Sequence, residues 1–231
     1  DEIDVGGGAD VIDAGAGNDI IYLEADGIFT SVYWAARIEW IDETTSVHAE
    51  EVPLGGKNRF LDIIDGNADY DTVILTDDMR GDAFFLHDFL SDFNESSDPN
   101  AYVIDIFGGS GTTRMAGVER ILGGAGDDVI DLTSPNFVVS NVEIQGNAGA
   151  DILWGNDGND ILDGGLGSDI LAGGRGSDLF VVRKGEDTQS IENADHIRDF
   201  KIGEDSIARA GGLTFGDVKI EAIGSGTDSG K

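Results

Sequence analysis

The 231-residue chain contains no cysteine, which excludes disulfide staples, thiolate catalysis and cysteine-ligated zinc or iron–sulfur centres. Proline is almost absent too, with 3 residues against 35 glycines, so the glycine does not belong to a collagen-like helix. Basic residues are scarce: 14 Lys and Arg face 46 Asp and Glu, for a formal charge of −32. Such a charge makes nucleic-acid backbones and anionic membrane surfaces poor partners. No apolar run approaches the roughly 18–20 residues of a membrane-spanning helix, so membrane insertion is not expected. With 40% apolar residues, the chain is also too hydrophobic for a disordered acidic tail.

What the chain has in excess is aspartate and glycine. Asp accounts for 33 of the acids and Glu for 13, a bias towards turns, caps and cation sites over helix surfaces. From Gly146 the sequence reads GNAGADILW, GNDGNDILD, GGLGSDILA, GGRGSDLFV, four nonapeptides in register. Position six is Asp151, Asp160, Asp169 and Asp178; position eight is Leu153, Leu162, Leu171 and Phe180. The same frame fits Asp10 with Ile12, Asp19 with Ile21, and the unit GGAGDDVID with Asp128 and Ile130. A degenerate unit, GNADYDTVI, carries Asp71 and Val73, and a second, GGSGTT, has Thr113 where Asp would stand.

A glycine-rich hexapeptide is a turn able to adopt positive φ and to aim its carbonyls inward. The residues after it alternate, with position eight facing a shared interior. The reading is therefore an all-β fold, a parallel β-roll in which carboxylates and loop carbonyls of neighbouring turns form all-oxygen cages. Such cages suit Ca²⁺, with its 6–8 flexible oxygen ligands, better than the stricter octahedron of Mg²⁺. The sequence predicts several bound Ca²⁺ ions, with binding coupled to folding because stacked carboxylates otherwise repel.

The nonapeptides resemble the RTX (repeats-in-toxin) family. That resemblance implies calcium-dependent folding outside the cell, export by the type I secretion machinery, and ion rows shared by acids 18 residues apart, such as Asp151 with Asp169 and Asp160 with Asp178. The run NADHIRDFKIGEDSI (193–207) is similar to the segment capping RTX rolls, and the resemblance places Asp195 and Asp199 at calcium.

Residues 23–107 differ from the repeats, holding 5 of the 35 Gly but 12 of the 18 aromatics. They can build a hydrophobic core of their own. Val32, Trp34, Ala36, Ile38 and Trp40 alternate as in a strand, although Trp34, Ile38 and Ile41 also suit a helix. Residues 50–58 read as a loop, 60–75 as strand, turn, strand, and 82–93 as either a short helix or a buried strand. A polar loop over 94–101 precedes a strand over 102–107, and residues 118–122 alternate again. The expected organisation is N-terminal RTX turns over 1–22, an aromatic-rich inserted ligand-binding segment over 23–145, a C-terminal roll and cap over 146–212, and the start of a further segment over 213–231. Both ends look cut, as in a monomeric module of a longer chain.

No catalytic motif is apparent. His48, His87 and His196 are scattered, and neither a nucleophile elbow nor a phosphate-binding loop with its lysine is present. An enzyme is not expected. The chain is similar to the split ligand-binding modules beside the RTX end of long bacterial adhesins, some of which hold a peptide carboxy terminus through calcium. This implies a secreted, cell-surface adhesion module with a peptide or protein ligand on another cell. The candidate contacts are Asp77, Asp78, Arg80, Asp82, Asp88 and an outward-facing Trp154; the alternatives are a solvated acidic loop and a tryptophan packed beneath the insert. A purely structural or secretion array, or a non-catalytic domain of a secreted hydrolase, remains an alternative reading.

Overall fold

In a nonapeptide the glycine turn reverses the chain and three residues then extend, so each unit supplies one short strand and passes to the opposite face. The computed structural model, which describes residues 1–6, 10–23, 27–28, 32–41, 44–53, 62–75, 81–86, 115–133, 138–139, 141–183 and 194–214, is built this way. All its described secondary structure is β. One face is an eight-stranded sheet of Glu2–Gly6, Ile20–Leu23, Thr72–Leu75, Arg120–Leu122, Glu143–Gln145, Ile161–Asp163, Leu179–Arg183 and Ser206–Ala210, in that spatial order. Every pairing in it is parallel. Strand order follows chain order, as it must when each turn stacks on the one before.

The opposite face is divided. Val11–Asp13, Ile63–Asp65 and Met115–Ala116 form a three-stranded parallel sheet. Asp82–Phe85, Val129–Asp131, Ile152–Trp154, Ile170–Ala172 and His196–Ile197 form a second parallel run, with Gly27–Ile28 antiparallel at the Asp82–Phe85 edge. The division has a simple cause. Between Thr72–Leu75 and Arg120–Leu122, neighbours on the first face, the chain gives the second face two strands instead of one.

Position eight fills the interior from both sides. Ile21, Val73, Ile121, Ile144, Leu162 and Phe180 come from the eight-stranded face, and Ile12, Ile64, Phe84, Ile130, Leu153 and Leu171 from the other; all are buried. The turns pack too closely for side chains at position four: a Cβ on Gly167 (φ +139°) would lie 1.7 Å from the Gly149 carbonyl oxygen. Only glycine meets both the dihedral and the spacing.

Val32–Ile41 pairs antiparallel with Thr44–Pro53, from Val32 opposite Pro53 to Ile41 opposite Thr44. The helical alternative for 34–41 is thereby replaced by a strand. The loop expected over 50–58 is corrected in its first part, because Glu50–Pro53 complete the ladder opposite Val32–Ala35. Proline is tolerated there at a strand end. Asp82–Phe85 is likewise a strand, since Phe84 occupies the buried position eight of a stacked turn. Residues 87–114, with the loop over 94–101, the strand over 102–107 and Thr113, lie outside the described residues.

Candidate metal centre

A strand that begins straight from a turn leaves its first N–H groups needing acceptors. In this roll they find carboxylates. Along the six-stranded face an acid stands at the start of each parallel strand: Asp82 is the first residue of its strand, and Asp128, Asp151, Asp169 and Asp195 immediately precede theirs. Each N–H donates to the Oδ1 of the next acid, at 2.7 Å from Asp82 to Asp128, 2.8 Å from Asp128 to Asp151, 2.9 Å from Asp151 to Asp169 and 3.2 Å from Asp169 to Asp195. Beside the eight-stranded sheet a second column runs the same way. Asp19 donates to Asp71 (2.8 Å), Asp71 to Glu119 (2.8 Å), Asp160 to Asp178 (2.9 Å) and Asp178 to Asp205 (3.0 Å). On the three-stranded sheet, Asp10 N–H donates to Asp62 Oδ1 at 2.7 Å.

The second carboxylate oxygens separate into two groups. Some accept from their own turn, as Asp128 Oδ2 does from Gly124 N–H (2.7 Å) and Asp160 Oδ2 from Asn156 N–H (3.1 Å). The Oδ2 atoms of Asp19, Asp71, Asp151 and Asp169 are buried and receive no hydrogen bond. A buried anionic oxygen without a donor is costly unless a cation compensates it. Burial accordingly pushes the carboxyl pKa of Asp151 up to about 8, despite the hydrogen bond from Asp128, and those of Asp160, Asp169 and Asp178 up to about 6. Burial raises Asp195 in the same direction.

The surroundings of these oxygens identify the cation class. A Cβ placed on Gly146 would lie 2.2 Å from Asp151 Oδ2 and 2.7 Å from the Gly164 carbonyl oxygen; on Gly155 it would meet Asp160 Oδ2 and the Gly173 carbonyl at 2.6 and 2.5 Å. Carboxylate and carbonyl of successive turns therefore converge where glycine leaves space. Among the described residues no three Asp, Glu or His side chains gather at one point. A cation here must take carboxylates and complete its shell with backbone carbonyls, an all-oxygen set that fits Ca²⁺ and excludes the nitrogen- and sulfur-preferring metals.

Sequence comparison agrees with this geometry. The family model for the RTX calcium-binding nonapeptide repeat matches in four copies, over residues 1–26, 115–132 and 145–180. These segments are RTX repeats. No curated protein matches the chain. The parallel roll extends beyond the matched segments, because Ile63–Asp65, Thr72–Leu75 and Asp82–Phe85 stack within the same sheets. The parallel-roll architecture is the one its repeats imply.

Asp19, Asp71, Asp128, Asp151, Asp160, Asp169, Asp178 and Asp195 stand in the two columns, and Asp10 in the separate contact with Asp62. Asp151 meets Asp169, and Asp160 meets Asp178, across 18 residues through an N–H to Oδ1 hydrogen bond. Asp199 lies beside its column and accepts from the N–H groups of Gly173 (3.0 Å) and Gly174 (2.9 Å).

Sequence reasoning missed Asp62, Glu119 and Asp205. Asp205 had a readable signal. FKIGEDSIA (200–208) is a full nonapeptide frame with Gly203 (φ +95°) at position four, Asp205 at six and Ile207 at eight. Lys201 N–H donates to Asp205 Oδ2 at 2.7 Å, repeating the contact of Gly124 with Asp128. Glu119 had the same signal, since RMAGVERIL (114–122) keeps Gly117 (φ +59°) at position four and Ile121 at eight, with Glu in place of Asp at six.

Two ligand-contact expectations are corrected. Asp82 is not part of an acidic surface outside the frame; it is 5% exposed and heads the six-stranded column. Trp154 is not an outward platform either, being 1% exposed on a strand between Val129–Asp131 and Ile170–Ala172. A ring that large is covered by packing and presents no face to an external ligand. Asp77, Asp78, Arg80 and Asp88 lie outside the described residues.

Proposed function

We propose that this chain is a calcium-dependent ligand-binding module of a secreted RTX adhesin, exported by type I secretion, in which the roll is a scaffold that presents its inserted segments to a target cell. One observation carries the reading. Consecutive acids in a column are 18 residues apart where the repeats are regular, but Asp19 and Asp71 keep the same contact across 52 residues. The roll thus holds its register while a long non-repeat segment, with its hairpin of Val32–Ile41 and Thr44–Pro53, leaves and returns. A spacer has no physical need of such an insertion, and the aromatics concentrated there provide a means of recognition.

Calcium gives the module its switch. The acid columns are destabilised while their charge is uncompensated, so low calcium favours the loosened chain for export and a calcium-rich exterior favours the closed roll. The ligand class that suits a strongly acidic protein is a carboxylate that completes the shell of an ion, most simply the carboxy terminus of a peptide.

Titrating peptides with free and amidated carboxy termini, in calcium and in EDTA, tests this. Calcium-dependent binding lost on amidation is the expected result; equal binding of both peptides overturns the proposed recognition. The competing reading, a structural array, draws support from the use of Asp82 within the roll. It predicts that deleting the hairpin residues 32–53 leaves export, folding and cell attachment unchanged.

A further inference from the structure

The carboxylate column beside the eight-stranded sheet is broken once. The residues preceding its strands from Ile20 onward are Asp19, Asp71, Glu119, Val142, Asp160, Asp178 and Asp205. Val142 alone carries no side-chain oxygen. Its N–H still donates to Asp160 Oδ1 at 2.9 Å, so the backbone keeps register. Its side chain, 1% exposed, instead joins the hydrophobic cluster that includes Val118, Ile121 and Ile144. The column on the opposite face has an acid at every step from Asp82 to Asp195.

Two further features mark this step as different in kind. Residues 127–145 contain no glycine, whereas each acid of the column follows one within a few residues, and the left-handed residue before Val142 is Asn141 (φ +61°). A fixed positive charge is also present. Arg120 Nε lies 3.3 Å from Glu143 Oε1 on the paired strand, and Arg120 Nη2 donates to Gln145 Oε1 at 3.1 Å. Tyr70 completes the network, its hydroxyl donating to Glu143 Oε2 at 3.0 Å.

We propose that the eight-stranded face carries two separate calcium rows, Asp19–Asp71–Glu119 and Asp160–Asp178–Asp205, divided at Val142 by a step that takes no ion and keeps its structure when calcium is removed. A hard cation that needs six or more oxygens gains nothing from an isopropyl group. Removing calcium exposes uncompensated buried charge along the two rows but none at the valine, where apolar packing and the guanidinium–carboxylate network hold the strands. Chelation therefore loosens the roll from the two rows, with the step between them as the persistent core. This inference rests on the calcium reading of the columns.

Amide hydrogen exchange on the full chain, in calcium and in EDTA, tests it. In EDTA the amides of Arg120–Leu122 and Glu143–Gln145 should exchange at least about tenfold more slowly than those of Ile161–Asp163 and Leu179–Val181. Equal loss of protection in all four strands overturns the division. Protection unchanged everywhere in EDTA overturns the calcium reading itself, and the inference with it. In a second arm, Val142→Asp supplies the missing carboxylate. The calcium count of the folded, calcium-loaded protein, measured by elemental analysis, should rise by at least one ion, and an unchanged count overturns the proposal. If that variant does not fold, the exchange pattern of the unmodified chain decides.

Discussion

Replacing Asp151 with asparagine should affect the calcium-free and calcium-loaded protein in opposite directions. Asp151 is fully buried; its Oδ1 accepts the Asp128 N–H at 2.8 Å, and its Oδ2 accepts no hydrogen bond. Burial moves its carboxyl pKa from 3.8 to about 8. At about 1.36 kcal/mol per unit, holding the ionised group in the calcium-free roll costs roughly 5 kcal/mol near pH 8. Asparagine keeps the shape and the Oδ1 acceptor, removes the charge, and turns a donor towards the region of the Gly164 carbonyl. In EDTA the variant should therefore be more stable by a few kcal/mol, up to that figure. In excess calcium it should be less stable and bind at least one ion fewer, because a carboxylate ligand is gone. Urea unfolding followed by circular dichroism near pH 8, with and without EDTA, reads both arms. A loss of stability in EDTA as large as that in calcium would refute the reasoning, since Asp151 would then act as a hydrogen-bond acceptor and not as a buried charge awaiting a cation.

Three other outcomes follow from the same columns. The raised pKa values mean that the calcium-free fold takes up protons. Its stability should be greatest in acid and fall as pH rises through about 6, where Asp160, Asp169 and Asp178 ionise, and through about 8 for Asp151. An EDTA-treated sample whose folded fraction grows across that range would contradict this. Asp205→Ala removes the acceptor for the N–H groups of Asp178 and Lys201, and should cost about 1–3 kcal/mol in calcium along with one bound ion; an unaltered thermal midpoint would remove Asp205 from the column. Gly164→Ala would put a Cβ 2.0 Å from Asp169 Oδ2, whereas Gly203→Ala meets nothing within 4 Å and bears only the strain of φ +95°, about 1 kcal/mol. The first should lower the calcium-loaded melting temperature more than the second, and the reverse order would show that the cage tolerates a methyl group.

Sequence alone determined the parts of this protein that repeat. Nine-residue spacing with Asp at six and a large apolar residue at eight implies strand, turn and inward side chain locally, so the roll, its core and most of its acids are legible in the sequence. The degenerate unit around Asp71 was legible for the same reason. Stacking, in contrast, is a relation between turns, and no local pattern states which turn meets which. Asp82 looked like a stray surface acid because its turn keeps only a glycine, an aspartate and Phe84 of the motif; the strand pairing with Val129–Asp131 makes it the head of a column. Glu119 lies nine residues before Asp128 and Val142 nine before Asp151, so both hold position six of a frame without its aspartate. Only the pairing of Arg120–Leu122 with Thr72–Leu75 and Glu143–Gln145 makes them neighbours in one column. Trp154 shows the same limit, since alternation places it on the outer side of its strand and only packing from elsewhere in the chain buries it. Local chemistry set what each turn is able to do, and tertiary register decided which carboxylates face one another and where the line of charge is interrupted.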